Sequence, residues 1–271
     1  MKVSKHVGML YVAGLMVFAL SAGTLVAQLP APNASGVSTG HIHLSVPDAE
    51  QHREIWHTLG ANDAESGRLQ LLNIPGMYIL LTEREPTAPS TATTANHMGF
   101  SVQSYADIHA KLEQVGATFA VENAETGQLI ADLPDGVRVE MQEVEGLSNP
   151  IEFHHIHLSV ADQEGLRDWY VEAFGAEVGE RRGMPSAVIP GGRVDFLGAR
   201  GGSPMPTQGT AIDHIGFEVA DMDAFAARMA DMGVTFDREP SEIAAIGLTI
   251  AFITDPEGTY IEITEGLANV Q

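Results

Sequence analysis

The sequence predicts an α+β chain in which four βαβββ modules pair into two domains. Three observations carry this. The hexapeptide His41-Ile-His-Leu-Ser-Val46 recurs letter for letter from His155 to Val160. Weaker copies, His97-Met-Gly-Phe-Ser-Val102 and His214-Ile-Gly-Phe-Glu-Val219, share its frame H-x-x-(L/F)-x-V. The four leading histidines fall 56, 58 and 59 residues apart, a period that marks one supersecondary unit used four times.

Each frame alternates apolar and polar residues, the period of a half-buried strand. In the first copy Ile42, Leu44 and Val46 face one way, and His41, His43 and Ser45 the other. A helical stretch follows each frame, over 48–59, 104–115, 162–174 and 221–232. Asp48, Asp162 and Asp221 stand where an N-cap is needed, and Gly60, Gly116, Gly175 and Gly233 close the helices. Strand-like segments complete each unit, the last running over 76–80, 136–140, 191–195 and 258–262.

The units fall into two kinds. The first and third share HIHLSV and a helix tryptophan, Trp56 or Trp169. The second and fourth share H-x-G-F-x-V and the endings Gly116–Phe119 and Gly233–Phe236. The order (AB)(AB) predicts one domain over 41–145 and another over 154–266, each large enough to bury its own core. Residues 28–40 lead in, and 146–153 form a linker with its boundary at Gly146–Pro150. Stretches rich in Pro, Thr, Ser and Gly, at 86–95 and 200–210, are expected to join the partners within each pair.

Lys2 and Lys5 precede an uncharged stretch with an apolar core from Val7 to Leu20 and small residues at Ala22 and Ala27. This is a signal-peptide profile over residues 1–27, and it predicts an exported protein, periplasmic or extracellular. The chain has no cysteine, which excludes disulfides, thiolate chemistry and a lipid-modified cysteine. Net charge is −22; without residues 1–27, which hold two lysines and no acid, 12 basic side chains stand against 36 acidic ones. That balance argues against nucleic acid and against anionic membrane surfaces as partners; it serves solubility, with a modest attraction for divalent cations as a by-product.

If each pair closes into one curved sheet, the polar faces of its strands share a concave surface. The second pair would gather His155, His157, Asp195, His214, Tyr260 and Glu262. The first would gather His41, His43, His97 and Glu140, with Leu80 where the second has Asp195. Two imidazoles and a carboxylate with open positions suit a divalent metal ion: Fe2+, Mn2+, Zn2+ or Ni2+. A lone strand histidine is usually structural, but a histidine opens all four units and a carboxylate lies four residues after Gly in three of the four closing strands.

These residues resemble the vicinal oxygen chelate superfamily, which includes glyoxalase I, extradiol dioxygenases, bleomycin and fosfomycin resistance proteins and methylmalonyl-CoA epimerase. The carrying motifs are HIHLSVPD, HMGFSV, HIHLSVAD, DHIGFEVAD and the closing Asp255-Pro-Glu-Gly-Thr-Tyr-Ile-Glu-Ile263, and they cover about 41–266. The resemblance implies glyoxalase-like domains, each a cup around one metal with ligands on first and last module strands. It assigns His155, Asp195, His214 and Glu262 to one site, and His41, His97 and Glu140 to the other. It implies a metal-dependent enzyme, dioxygenase-, lyase- or isomerase-like, acting on a small oxygenated molecule. Tyr260 and His157 are then the acid/base candidates. A metal-free sequestering protein of bleomycin-resistance type is the alternative, and one domain serving a structural role is a third reading. An exported chain is poorly placed for glyoxalase I chemistry, whose thiol-adduct substrate belongs to the cytosol.

Overall fold

The computed structural model describes residues 29–66, 69–199 and 202–269. The signal-peptide segment lies outside them. Among the described residues no helix is long and apolar enough to cross a membrane.

Four βαβββ modules are present, as the period requires. The first comprises β1 (Val37–Val46), α1 (Ala49–Leu59), β2 (Asn62–Ser66), β3 (Leu69–Ile74) and β4 (Met77–Glu83). The second comprises β5 (Ala95–Val102), α2 (Tyr105–Gln114), β6 (Thr118–Asn123), β7 (Gln128–Asp132) and β8 (Arg138–Glu143). The third comprises β9 (Ile151–Val160), α3 (Gln163–Phe174), β10 (Glu177–Arg181), β11 (Met184–Ile189) and β12 (Gly192–Gly198). The fourth comprises β13 (Ile212–Val219), α4 (Met222–Asp231), β14 (Arg238–Ile243), β15 (Leu248–Thr254) and β16 (Tyr260–Glu265). The three expected aspartates do cap their helices. Asp48, Asp162 and Asp221 accept from the amides of Gln51, Gly165 and Ala224, each at 2.9 Å. These bonds satisfy amides that a helix start leaves without a partner.

The pairing of modules differs from expectation. One eight-stranded sheet runs β14-β15-β16-β13-β1-β4-β3-β2 and the other β10-β11-β12-β9-β5-β8-β7-β6. The first module therefore pairs with the fourth, and the second with the third, across the antiparallel seams β1/β13 and β5/β9. Residues 41–145 and 154–266 do not each form a cup; each segment contributes one module to each sheet. Gly146–Pro150 links β8 to β9 inside a single sheet, so it is not a boundary between domains. The stretches at 86–95 and 200–210 carry the chain from one sheet to the other. They meet where Thr94 N donates to Met205 O (3.0 Å) and Met205 N to Ala92 O (2.9 Å).

Both sheets pack against one continuous apolar core. Trp56 of α1 meets Phe100 of β5, with ring centroids 5.8 Å apart, and Phe174 of α3 stacks on Phe217 of β13 at 4.3 Å. Each of these helices thus sends one aromatic ring to a strand of the other sheet. The alternation read from the sequence places Ile42, Leu44, Ile156 and Leu158 in this core. The histidines of the same strands lie on the opposite face, inside the curve of each sheet.

Candidate metal centre

Each seam is interrupted at the residue just before a leading histidine. The β1/β13 register skips Gly40 on one side and Asp213 on the other; the β5/β9 register skips Asn96 and His154. A bulge re-aims the side chain at that point, where strict alternation would send it to the other face. The consequence is a set of contacts between neighbours in sequence. Asp213 Oδ1 lies 2.6 Å from His214 Nδ1, Asn96 Oδ1 2.8 Å from His97 Nδ1, and His154 Nδ1 2.8 Å from His155 Nδ1. Gly40 has no side chain to offer, and among the described residues His41 Nδ1 has no hydrogen-bond partner. The sequence signal was a polar residue where the alternation calls for an apolar one, and the reading of the frames passed over it.

The seam also explains the two kinds of module. His41 sits opposite Gly216, and His155 opposite Gly99. A Cβ at Gly216 would lie 2.2 Å from the His41 ring, and one at Gly99 1.9 Å from the His155 ring. The glycine of H-x-G-F is therefore the space into which the first histidine of the partner module fits.

Two clusters result. His41, His43, His214 and Glu262 can each offer one ligand atom with all four within 4.8 Å of one another, and so can His97, Glu140, His155 and His157. All seven expected ligands except Asp195 fall in these groups, but in other company than expected. His41 joins His214 and Glu262, while His155 joins His97 and Glu140, because the modules pair first with fourth and second with third. Asp195 is remote from the His214–Glu262 cluster by topology. It lies on β12 beside β9, with Oδ2 3.5 Å from His157 Nε2 and Oδ1 accepting from Ser186. His157, expected near Tyr260, belongs to the other cluster. Tyr260 stands edge-on to His214 at 5.9 Å and stacks on Phe252 at 4.9 Å.

In the outer-module cluster two of the three imidazoles converge on one oxygen. His41 Nε2 lies 3.0 Å and His214 Nε2 2.9 Å from Glu262 Oε2. Burial alone would raise the Glu262 carboxyl, but hydrogen bonds from His214 and His41 outweigh it and hold the carboxyl well below its usual range. Burial likewise opposes charge on His214, yet the bonds to Asp213 and Glu262 raise its pKa above the ordinary value. His43 is pushed down to about 3 by burial and by its histidine neighbours. Its Nε2 meets Thr82 Oγ1 at 2.6 Å, and its Nδ1 has no partner among the described residues. The cluster opens into a cavity of about 230 Å³ whose other walls include Leu80, Leu248, Ile250 and Phe252.

The inner-module cluster is more crowded. His97 Nε2 lies 3.3 Å and His155 Nε2 3.4 Å from Glu140 Oε2. Glu140 Oε1 accepts from Gln128 Nε2 (3.0 Å) and Arg181 Nη2 (2.9 Å). Burial pushes His97 down to about 4 and His155 to about 3.

Residues 152–263 match the Glyoxalase/Bleomycin resistance protein/Dioxygenase superfamily. That match spans the third and fourth modules. The internal repeat carries the same frame through the first two modules of the chain. Glyoxalase I from Zea mays superposes with a TM-score of 0.65 at 14% identity, over 86% of this chain and 94% of that one. A putative dioxygenase from Bacillus subtilis gives 0.62 at 14% identity, over 88% and 86%. At such identities the likeness is one of fold. No curated protein matches the chain.

Proposed function

We propose that the chain is an exported, metal-dependent enzyme acting on a small oxygenated molecule in the cup of the first and fourth modules. The observation that carries this is the convergence of His41, His214 and Glu262 from three strands of two modules, with Gly216 leaving room for the His41 ring. The donor set fits a divalent ion such as Fe2+, Mn2+, Zn2+ or Ni2+, since two imidazoles and one carboxylate leave positions open to a substrate. A metal held there would supply a Lewis acid, or a redox centre, for adjacent substrate oxygens.

The chain's own residues do the rest. Asp213 fixes the His214 ring with its Nε2 toward the cup, as carboxylates do behind metal-bound histidines. Leu80, Leu248, Ile250 and Phe252 exclude water and suit an apolar or aromatic body. Tyr260, beside His214, is the proton donor in this reading. Burial raises its pKa, so its hydroxyl stays protonated at neutral pH. His43 holds in this cup the place that His157, the other acid/base candidate, holds in the other, and its Nε2 meets the Thr82 hydroxyl. Export is supported by Lys2, Lys5 and the apolar run that follows them.

The test is metal content of the purified mature chain by elemental analysis, for wild type, His214→Ala and Glu262→Gln. Bound divalent metal in wild type and its loss in both variants is expected. Metal retained alike in both variants would overturn the assignment and favour a sequestering protein. Mass spectrometry of the N-terminus tests export: an intact Met1 in the native host would sink it.

A further inference from the structure

The two clusters are related by the repeat, yet their surroundings differ at three corresponding positions. Register fixes the correspondence. Asp195 is opposite His157 as Leu80 is opposite His43. Gln128 lies two residues before the partner of Glu140, as Ile250 lies two before the partner of Glu262. Arg181 closes the β10/β11 hairpin opposite Met184, as Ser66 closes β2/β3 opposite Leu69. Asp195, Gln128 and Arg181 thus replace Leu80, Ile250 and Ser66.

These three side chains change what the inner-module carboxylate can do. Among the described residues, Glu262 has only imidazoles for side-chain hydrogen-bond partners. Glu140 gives one oxygen to Gln128 and Arg181, and that guanidinium reaches across to Asp195 Oδ2 at 3.4 Å and His157 Nε2 at 3.4 Å. Its side chain is 10% exposed. The hairpin that carries it turns through Arg182 and Gly183, both at positive φ (51° and 80°). Two such residues make the turn that suits a tight hairpin, and a side chain at the first is uncommon. Arg182 in turn donates to Gln142 Oε1 at 2.7 Å and comes within 3.7 Å of Glu140 Oε1.

We infer that the inner-module cluster excludes metal because the Arg181 guanidinium takes the place of a cation there, so that the chain binds one metal ion and not two. The donor atoms are present but the charge balance is already met. A divalent ion among His97, Glu140 and His155 would have to displace Arg181 from Glu140 or sit beside its positive charge out of water, where repulsion is weakly screened. The outer-module cluster has no such occupant among its described neighbours. This rests on the proposed metal centre only for the count of one; the exclusion is a property of the inner cluster alone.

The full mature chain, stripped with chelator and titrated with Zn2+ and separately with Mn2+, tests it by stoichiometry. Wild type and His97→Ala should each bind one ion, and His214→Ala none. Arg181→Met should bind a second ion, at least about a hundredfold more tightly than wild type does at that cluster, and adding His97→Ala should abolish the gain. Two ions in wild type, falling to one in His97→Ala, would overturn the inference whether or not Arg181→Met folds. So would a folded Arg181→Met with no second ion. If wild type binds none, the metal-centre reading fails, and a single ion gained by Arg181→Met and lost with His97→Ala still supports exclusion by the arginine.

Discussion

Gly216→Ala isolates the geometry of the outer-module centre without touching a ligand. Gly216 lies inside β13 with no positive φ to forbid a side chain, so alanine is compatible with its backbone. Its Cβ would nevertheless stand 2.2 Å from Cε1 and Nδ1 of His41. Ordinary contact begins near 3.4 Å, so the ring must retreat by about 1.2 Å. Metal–ligand distances tolerate about 0.2 Å. The retreat therefore takes the His41 donor out of the shell. Loss of an orienting contact costs about 10–100-fold in metal affinity, and removal of a ligand should reach the top of that range or beyond. Overpacking should also cost about 1–3 kcal/mol of stability. Isothermal titration of the apoprotein and thermal unfolding read the two effects. Gly198→Ala, whose Cβ would meet nothing closer than Gln163 at 3.4 Å, is the control. Metal affinity unchanged in Gly216→Ala, alongside a loss in His41→Ala, would refute the claim that this glycine seats the ligand.

Three further outcomes follow from the same structure. Asp213→Asn should weaken metal binding about 10–100-fold by releasing the His214 ring, measured by competition with a chelator; unchanged affinity would remove Asp213 from the site. A fragment of residues 151–271 should not fold cooperatively, because it holds half of each sheet and leaves β9 and β13 as long unpaired edges. Mixing it with residues 29–145 should restore a cooperative thermal transition, and a folded lone fragment would contradict the cross-paired sheets. Burial raises the Glu218 carboxyl above its ordinary 4.5, with Thr264 and the backbone of 266–268 only partly offsetting it. The folded chain thus holds that proton more tightly than the unfolded one, so stability falls as pH rises from 4.5 to the folded value. The Tm of Glu218→Gln relative to wild type should climb across that window; a constant difference would argue against a perturbed Glu218.

The modules were legible because their signals are local. Alternation in HIHLSV fixes which face of β1 and β9 is buried, and Asp48, Asp162 and Asp221 mark helix starts through bonds made within three residues. Most residues of the two clusters were legible for the same reason, since a strand position determines a face. Their grouping was not. Which histidine meets Glu262 depends on which module crosses the seam, and that is decided by contacts hundreds of positions apart in sequence, such as His41 with Glu262. The bulge residues Asp213, Asn96 and His154 were also missed, because a bulge breaks the alternation on which the reading relied.

The pairing nevertheless left a trace in the links between modules. Glu143 at the end of β8 and Ile151 at the start of β9 are both opposite Val102 of β5, one on either side. Residues 144–150 need only hop over one strand end, a span of about 10 Å at two strand spacings. Residues 84–94 and 199–211 have to leave one sheet and enter the other, and they are the longer links. A Pro- and Gly-bearing link reads locally as a boundary wherever it falls, since such composition reports a turn and not its destination. The complementary signal was the H-x-G frame. A glycine in one kind of module and a histidine in the other imply that unlike modules meet at the seam, which rules out pairing first with third. It allows first with second or first with fourth. Link length then favours the second, because the shortest link is the one that stays within a sheet.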